Sequence, residues 1–524
     1  MSLSLLRTVL LLTVILVLLS VVALWSWGRF ARSAQGEHAT TLPTSADATV
    51  LDRVIQPLLD EQDPDTSAAA FLDDPINAFI ARVRSARTAE RSLDIQYYIW
   101  EHDTTGRLLE HEIMRAAERG VRVRLLLDDL SVGGRDNEFL AVDAHPNVEI
   151  RLFNPARSRS AGMKRAIEMG LRFVGFNRRM HNKAWVADNR LAIVGGRNIG
   201  DEYFGASDAT NFRDTDLLLF GPAVEQTSTI FDTFWNAAEV IPLRALHQKG
   251  SKWSAEEFLQ RREQWLDDAK SSQWVKAMRA HKATIRSPDD ITRHLHWSSS
   301  ITVISDPPAK AAPLARHRIQ AGWLLYDINA LLYSARRDLW IISPYFVPGP
   351  AGSLIMAGQT YRDVDVRVLT NSLAANDVPL VHAGYSKYRP ALLDAGVSLY
   401  ELRPSAKDTR TRIVGSSGAS LHSKAFVIDG QRGFLGSFNL DPRSAQLNTE
   451  MGVLFDDTGL AAELTRFFEA SIAPERAWQV TRNNGDNLRW QAAGGNEWTH
   501  EPKTSLGIRV LVRLLRWLPI ESQL

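Results

Sequence analysis

His181, Lys183 and Asp188 recur 241 positions later, in the same spacing, as His422, Lys424 and Asp429. In each copy a small pair and an asparagine follow at the same interval: Gly195 and Gly196 with Asn198, then Gly436 and Ser437 with Asn439. With Ala184/Ala425 and Val186/Val427, seven identities share one offset. A lone His-x-Lys is ordinarily an accident of a surface strand, and Asp-Gly is ordinarily only a turn. Two complete copies mark the two halves of one site. A neutral imidazole is a nucleophile near pH 7, ammonium and carboxamide donors can hold non-bridging phosphate oxygens, and a second imidazole can protonate a leaving oxygen. An ammonium is no metal ligand at neutral pH, so the motifs fall short of the three or four ligands that a catalytic zinc takes. Neither a metal nor another cofactor is expected.

The residues around the motifs say how these side chains could meet. Alternation along a strand puts histidine and lysine of each His-x-Lys on one face and Ala184, Val186, Ala425 and Val427 on the other. Asp188-Asn189 and Asp429-Gly430 read as hairpin turns, returning Leu191–Val194 and Gly433–Leu435 as the next strands. Small residues there let the backbone approach closely and bring Asn198 and Asn439 beside the lysines. Apolar strand segments alternate with helical ones in both halves. Leu339–Ser343 answers Leu93–Tyr97, Val364–Leu369 answers Val121–Leu126, and Val397–Tyr400 answers Val148–Arg151, at offsets of 243 to 249 residues. That order predicts an α/β fold of two domains, related by a pseudo-twofold that brings the histidines together.

The paired His-x-Lys-x4-Asp motifs, each with its following Gly-Gly or Gly-Ser and asparagine, resemble the phospholipase D superfamily, and the likeness runs over residues 90–455. The stretches Leu93–Trp100, Ser343–Gly349 and Thr370–Tyr385 are similar to its bacterial cardiolipin synthase branch, closest to the C-type members. The resemblance implies two phospholipase D-like domains and a phosphatidyltransferase. His181 would attack a phosphatidyl phosphorus to give a phosphohistidine, and His422 would protonate the departing alcohol and deprotonate the incoming one. Lys183, Lys424, Asp188 and Asp429 complete the catalytic motifs, and Asn198, Asn439, Ser437 and Gly196 would bind substrate. By position, Glu450, Asp214 and Asp216 are the candidates to orient the imidazoles. Phosphatidylglycerol, with phosphatidylethanolamine as a second substrate, would yield cardiolipin. The alternatives within the superfamily are a hydrolase giving phosphatidic acid and a nuclease.

With 61 basic and 60 acidic residues the chain has no global field, so nucleic acid is not an expected partner, whereas a nucleic-acid-binding domain typically has a pI above about 9. No cysteine is present, which excludes disulfides and a thiol nucleophile. Thr8 to Trp27 carry no charge; at about 1.5 Å per residue they make roughly 30 Å of helix, a bilayer's hydrocarbon thickness. We read an uncleaved transmembrane anchor in a bacterial inner membrane, with Trp25 and Trp27 at its interface and the short leading tail favouring a periplasmic body. The expected divisions are anchor and tether (1–45), first domain (46–224), helical insert or linker (225–310), second domain (311–480) and a tail with an amphipathic helix (481–524).

Two segments bear on the membrane. Arg157 to Arg179 carries seven basic residues against Glu168, interleaved with apolar ones, and is expected to turn its cations to anionic phospholipid; Arg403, Lys407, Arg410 and Arg412 form a looser counterpart. In the tail, Arg509, Arg513 and Arg516 form one helical stripe, and Leu506, Val510, Leu514, Leu515, Trp517 and Leu518 cover the rest. This suits a helix lying in a bilayer interface with its arginines and Trp517 in membrane contact. The ordinary alternative is a helix packed on the body.

Overall fold

The computed structural model describes residues 3–159, 162–247, 250–280, 294–312, 322–376, 378–404, 418–483, 487–518 and 521–523. Lys407, Arg410 and Arg412 lie outside them. Up to residue 300 its strands are β1 (Ser67–Leu72), β2 (Ser92–Tyr97), β3 (Arg122–Asp128), β4 (Val148–Phe153), β5 (Ala184–Ala187), β6 (Leu191–Gly195), β7 (Thr210–Arg213), β8 (Asp216–Phe220), β9 (Val240–Pro242) and β10 (His296–Ser298). Beyond it lie β11 (Ile301–Ser305), β12 (Asp338–Ile342), β13 (Asp365–Asn371), β14 (Ser398–Leu402), β15 (Gly418–Leu421), β16 (Lys424–Ile428), β17 (Arg432–Gly436), β18 (Met451–Asp456), β19 (Ala477–Arg482), β20 (Leu488–Gln491) and β21 (Glu497–Trp498).

One sheet runs β10-β1-β8-β6-β5-β2-β3-β4-β9 and the other β11-β18-β17-β16-β12-β13-β14-β19-β20-β21. From β1/β11 to β9/β19 the two orders correspond strand for strand, so the duplication extends far past the motifs. In each, a parallel trio (β2-β3-β4, β12-β13-β14) continues into antiparallel strands. β2 is buried along its whole length, as parallel strands covered on both faces must be. Helices Thr104–Glu118 and Gly349–Thr360 make the crossovers from β2 to β3 and from β12 to β13.

The two sheets share a core. Ala184, Val186, Val194 and Leu217 of the first pack in one buried cluster with Ala425, Val427, Leu435 and Val453 of the second. The alternate residues turn away: Trp185 and Ala187 into the first half's own core, Phe426 and Ile428 into the second's. Helices Pro222–Trp235 and Thr458–Ile472 flank this interface, and Phe71 of β1 meets Phe467 edge to face at 6.0 Å. Apolar burial on this scale makes the halves one body.

Residues 225–310 differ from the expected insert. They finish helix Pro222–Trp235 and supply β9 and β10 at the edges of the first sheet and β11 at the edge of the second. Among the described residues, helices Ala255–Ser271 and Gln273–Ala280 stand outside the duplicated plan; they cover the first domain, with Phe258, Trp274 and Val275 buried in its core. Nor is 34–45 a free tether. Its carbonyls at Ala39 and Thr40 accept from Arg124 and Arg122, and Thr41 N–H donates to Asp232.

Helix Leu3–Ser33 is long and apolar enough to cross a membrane, and its side chains from Leu5 to Trp25 are largely exposed. Its last turns dock on the body, where Trp27 is buried, donates Nε1–H to Pro155 O at 3.1 Å, and lies under the Arg172 guanidinium at 4.3 Å. Trp25 alone of the two tryptophans is free for an interface.

Candidate active site

β5 and β6 are joined by Asp188, Asn189 and Arg190, β16 and β17 by Asp429, Gly430 and Gln431, and the first two residues of each connection have positive φ (52° and 55°, 56° and 65°). Two consecutive positive φ values are the signature of the type I′ turn, whose twist matches the strands it joins. Each aspartate then does structural work. Asp188 accepts the backbone N–H groups of Glu90, Arg91 and Ser92 (2.7–3.2 Å), and Asp429 those of Arg336, Arg337 and Asp338 (2.7–3.2 Å). Both sit at the end of the hairpin remote from its histidine. The motif aspartates, expected among the catalytic residues, instead fix where β2 and β12 enter the sheets.

The histidines precede their strands, and the opposite half holds them. His181 N–H donates to Thr449 O at 2.8 Å, beside a bridge between Met180 and Thr449. His422 and Ser423 donate to Arg213 O, where β15 pairs in parallel with β7. A backbone that would have paired within its own sheet pairs across the pseudo-twofold, and so delivers each imidazole to the shared centre.

The acids cross the same way. His181 Nδ1 lies 2.7 Å from Glu450 Oε2, and His422 Nδ1 lies 2.5 Å from Asp214 Oδ2. Asp216 turns elsewhere, to Arg82 (3.0 Å) and Arg197 (3.3 Å). Each carboxylate fixes the tautomer with Nδ1 protonated, so that Nε2 keeps its lone pair for the cavity. Burial pushes the imidazoles down, His181 to about 4 and His422 to about 3, so both are neutral at rest. Glu450 and Asp214 are held low by these histidines against the opposing effect of burial.

Gly196 and Ser437, expected to bind substrate, stand behind the acids. A Cβ on Gly196 would come within 2.3 Å of Asp214 Oδ1, so only glycine lets that carboxylate reach His422. Its counterpart Ser437 donates Oγ–H to Glu450 Oε2 at 2.5 Å. Lys183 Nζ donates to His181 O at 2.6 Å and Lys424 Nζ to His422 O. Burial and the Lys424 ammonium bring Lys183 down to about 7, so an arriving phosphate would draw a proton onto it. Asn198 is fixed by Ile99 N–H (3.2 Å) and Tyr203 OH (3.0 Å) and lines the cavity; Asn439, two residues past Ser437, is buried with its Oδ1 unbonded and is not among the residues that line it.

Both imidazoles open on one cavity of about 640 Å³. Tyr98, Tyr203, Tyr345, Asn177, Arg179, Glu202 and Arg443 give it polar wall, and Leu130, Met169, Phe173, Phe176 and Val378 an apolar rim. Tyr98 and Tyr203 meet His181 and His422 edge to face at 5.0 and 5.1 Å, a pseudo-symmetric pair. Among the described residues no cluster of three His, Cys, Asp or Glu suited to a metal occurs. The tyrosines and Arg443 were not singled out in the sequence, although Tyr98 and Tyr345 fall within stretches that carried the resemblance.

The family model described as "Cardiolipin synthase, PLD-like domain" matches residues 82–235 and 328–472, one match in each half. Cardiolipin synthase C of Escherichia coli (strain K12) is 40% identical over 457 residues, spanning 86% of this chain and 94% of that protein. A cardiolipin synthase of Geobacillus thermodenitrificans is 27% identical over 460 residues, 85% of this chain and 76% of that protein. Among solved structures, phosphatidylserine synthase of Haemophilus influenzae superposes with a TM-score of 0.56 at 13% identity, over 90% of this chain and all of that one, a likeness of fold. With its apolar N-terminal helix the chain is a membrane-anchored protein, and it belongs to the cardiolipin synthase family of phospholipase D-like proteins.

Proposed function

We propose that the chain is a phosphatidyltransferase that makes cardiolipin by moving a phosphatidyl group between phospholipids. The observation that carries this reading is the crossed pair of imidazoles, each set by a carboxylate of the other half and both facing one cavity. His181 Nε2 attacks the donor phosphorus, a P–N bond forms as the P–O bond to the headgroup alcohol breaks, and His422 gives that oxygen its proton. To serve as this acid His422 must first be protonated, and the negative charge of the donor phosphodiester supplies the field that favours it. The acceptor hydroxyl then returns its proton to His422 as its oxygen displaces His181 from phosphorus. Lys183, Lys424 and Asn198 hold the non-bridging oxygens, so the energy of one phosphodiester is carried into the next.

Phosphatidylglycerol is the proposed acceptor and, with phosphatidylethanolamine, a proposed donor, in a bacterial inner membrane. Bilayer contact is proposed through the exposed apolar side chains of Met163, Ile167, Phe173 and Val174 and of the tail helix. The test is incubation of the purified protein with labelled phosphatidylglycerol, alone and with phosphatidylethanolamine, followed by lipid mass spectrometry. Label in cardiolipin is expected; label only in phosphatidic acid would make the protein a hydrolase.

A further inference from the structure

We propose that Arg443 is the anchor for the phosphate of the acceptor lipid, and so determines that an anionic phospholipid, in preference to water or a neutral alcohol, completes the reaction. This rests on the phosphatidyltransferase reading and adds the residue that selects the acceptor.

Transfer between two phospholipids puts two phosphates in one cavity. The first, bonded to His181, has the two lysines and Asn198. The second belongs to the acceptor and, in phosphatidylglycerol, is separated from the attacking hydroxyl by only the glycerol carbons of the headgroup. It must therefore lie beside the first, and it needs a cation of its own in a site largely withdrawn from water.

Among the described residues the cavity wall offers two guanidiniums, and one is already committed. Arg179 pairs with Asp128 at 3.2 Å, donates to Phe176 O and lies over the Phe176 ring. Arg443 has no carboxylate within ion-pair distance among the described residues. Asn177 holds it: Nη1 donates to Asn177 O at 3.0 Å and Nη2 to Asn177 Oδ1 at 2.6 Å, with a longer contact from Nη1 to Asn448 Oδ1 at 3.4 Å. A guanidinium has five N–H donors in a planar fork. These contacts use the edge made by Nη1 and Nη2, and leave Nε–H and the second Nη2–H, the side edge that takes two oxygens of one phosphate. Asn177 is itself fixed, donating Nδ2–H to Gln523 Oε1 at 2.7 Å. The result is a half-buried cation, without an ion pair among the described residues and aimed by a carboxamide, on the wall that His181 and His422 share.

In the acceptor step the hydroxyl oxygen forms the new P–O bond, the P–Nε2 bond to His181 breaks, and the hydroxyl proton passes to Nε2 of His422. Arg443 takes part in neither bond change. It places the hydroxyl by holding the phosphate at the other end of the headgroup.

The test compares acceptors in the full-length protein. With phosphatidylglycerol labelled in its acyl chains as donor in mixed micelles, cardiolipin, the headgroup-deuterated phosphatidylglycerol made by transfer to added deuterated glycerol, and phosphatidic acid are measured separately by mass spectrometry, with a thermal melt of each variant. For Arg443→Gln the loss of transfer to phosphatidylglycerol is expected to exceed the loss with glycerol by at least tenfold, through a raised acceptor KM, and the ratio of phosphatidic acid to cardiolipin is expected to rise. Arg443→Lys, which keeps the charge without the fork, should fall between. Equal losses with both acceptors, or an unchanged product ratio, would overturn the proposal and make Arg443 a structural residue. Should Arg443→Gln fail to fold, the same comparison on Arg443→Lys decides. Wild-type protein that transfers to no alcohol would instead remove the phosphatidyltransferase reading.

Discussion

Glu450 and Asp214 set what each histidine can do. Because the two imidazoles act in turn on one phosphorus, His181→Ala and His422→Ala are each expected to lower kcat by at least about 10³-fold, with the double variant little worse than either, since residues acting as a unit are not additive. Full activity in either single variant, measured by cardiolipin formation, would refute a duplicated site. The pKa directions give a second outcome. Both imidazoles are depressed below their ordinary 6.5, so the unfolded chain takes up protons first as pH falls. Their contribution to stability is intact above 6.5 and is lost as pH falls from there toward 4, at up to about 1.4 kcal/mol per pH unit for each. The difference in melting temperature between pH 7 and pH 5 should therefore shrink in the variant His181→Gln/His422→Gln. An unchanged difference would assign the acid sensitivity to other groups that burial pushes down, His111 among them. Residue types and spacing made the histidines and lysines legible in the sequence. The crossing of the acids was not, because nothing local in Asp214 or Glu450 says which half its partner lies in, and Asp216, two residues on, has the same chemistry but meets arginines.

Hairpins and strand order carry that chemistry into place, and Gly196 shows how narrowly. Its absent Cβ makes room for Asp214, so Gly196→Ala is expected to displace the carboxylate and lower kcat by about 10²-fold, the order of loss that a 1 Å misplacement causes. KM should change little, because Gly196 does not line the cavity. A fall in KM-dependent binding with kcat preserved would return it to the substrate-contacting role first read from the sequence. Alternation and turn chemistry made β5, β6, β16 and β17 legible. The edge strands β9, β10 and β11 were not, since three to five residues leave too little periodicity to read and their pairing partners are distant in sequence. The segment 157–179 was misread for a different reason. Its cations are expected at anionic phospholipid, but Arg159, Arg172, Arg178 and Arg179 are buried, the first paired with Asp129 and Asp136 and the last with Asp128. A carboxylate or carbonyl waiting elsewhere in the fold decides whether an arginine turns inward, and local sequence does not show it.

At the scale of the molecule, what faces outward around the cavity mouth is apolar. Phe173 is at once a rim residue and exposed, and Met163, Ile167 and Val174 continue from it along helices that pack against the end of the N-terminal helix. On the other side the tail helix Leu506–Leu515 seats Val512 against Leu373 and Ala383, leaving Leu506, Val510, Leu514 and Trp517 exposed, and its last residues tie back through Gln523 to Asn177. Thus the tail does both things its sequence allowed, packing by one face and presenting another. Each such side chain gains about 1.5–3 kcal/mol on full burial in hydrocarbon, while each arginine near an anionic surface adds roughly 1 kcal/mol. A protein lacking residues 1–25, but keeping Trp27 to Ser45 that dock on the body, should therefore still sediment with vesicles containing phosphatidylglycerol. Replacing Ile167, Phe173 and Val174 by Ser should weaken binding to neutral and anionic vesicles alike. Replacing Arg509, Arg513 and Arg516 by Gln should weaken anionic binding much more, and added salt should reproduce that second effect through screening. Removing residues 505–524 should both release the protein and lower its melting temperature, because Val512 and Gln523 are anchored in the body. Loss of vesicle binding on removal of residues 1–25 alone would show that the N-terminal helix is the sole attachment and that the cavity opens to water.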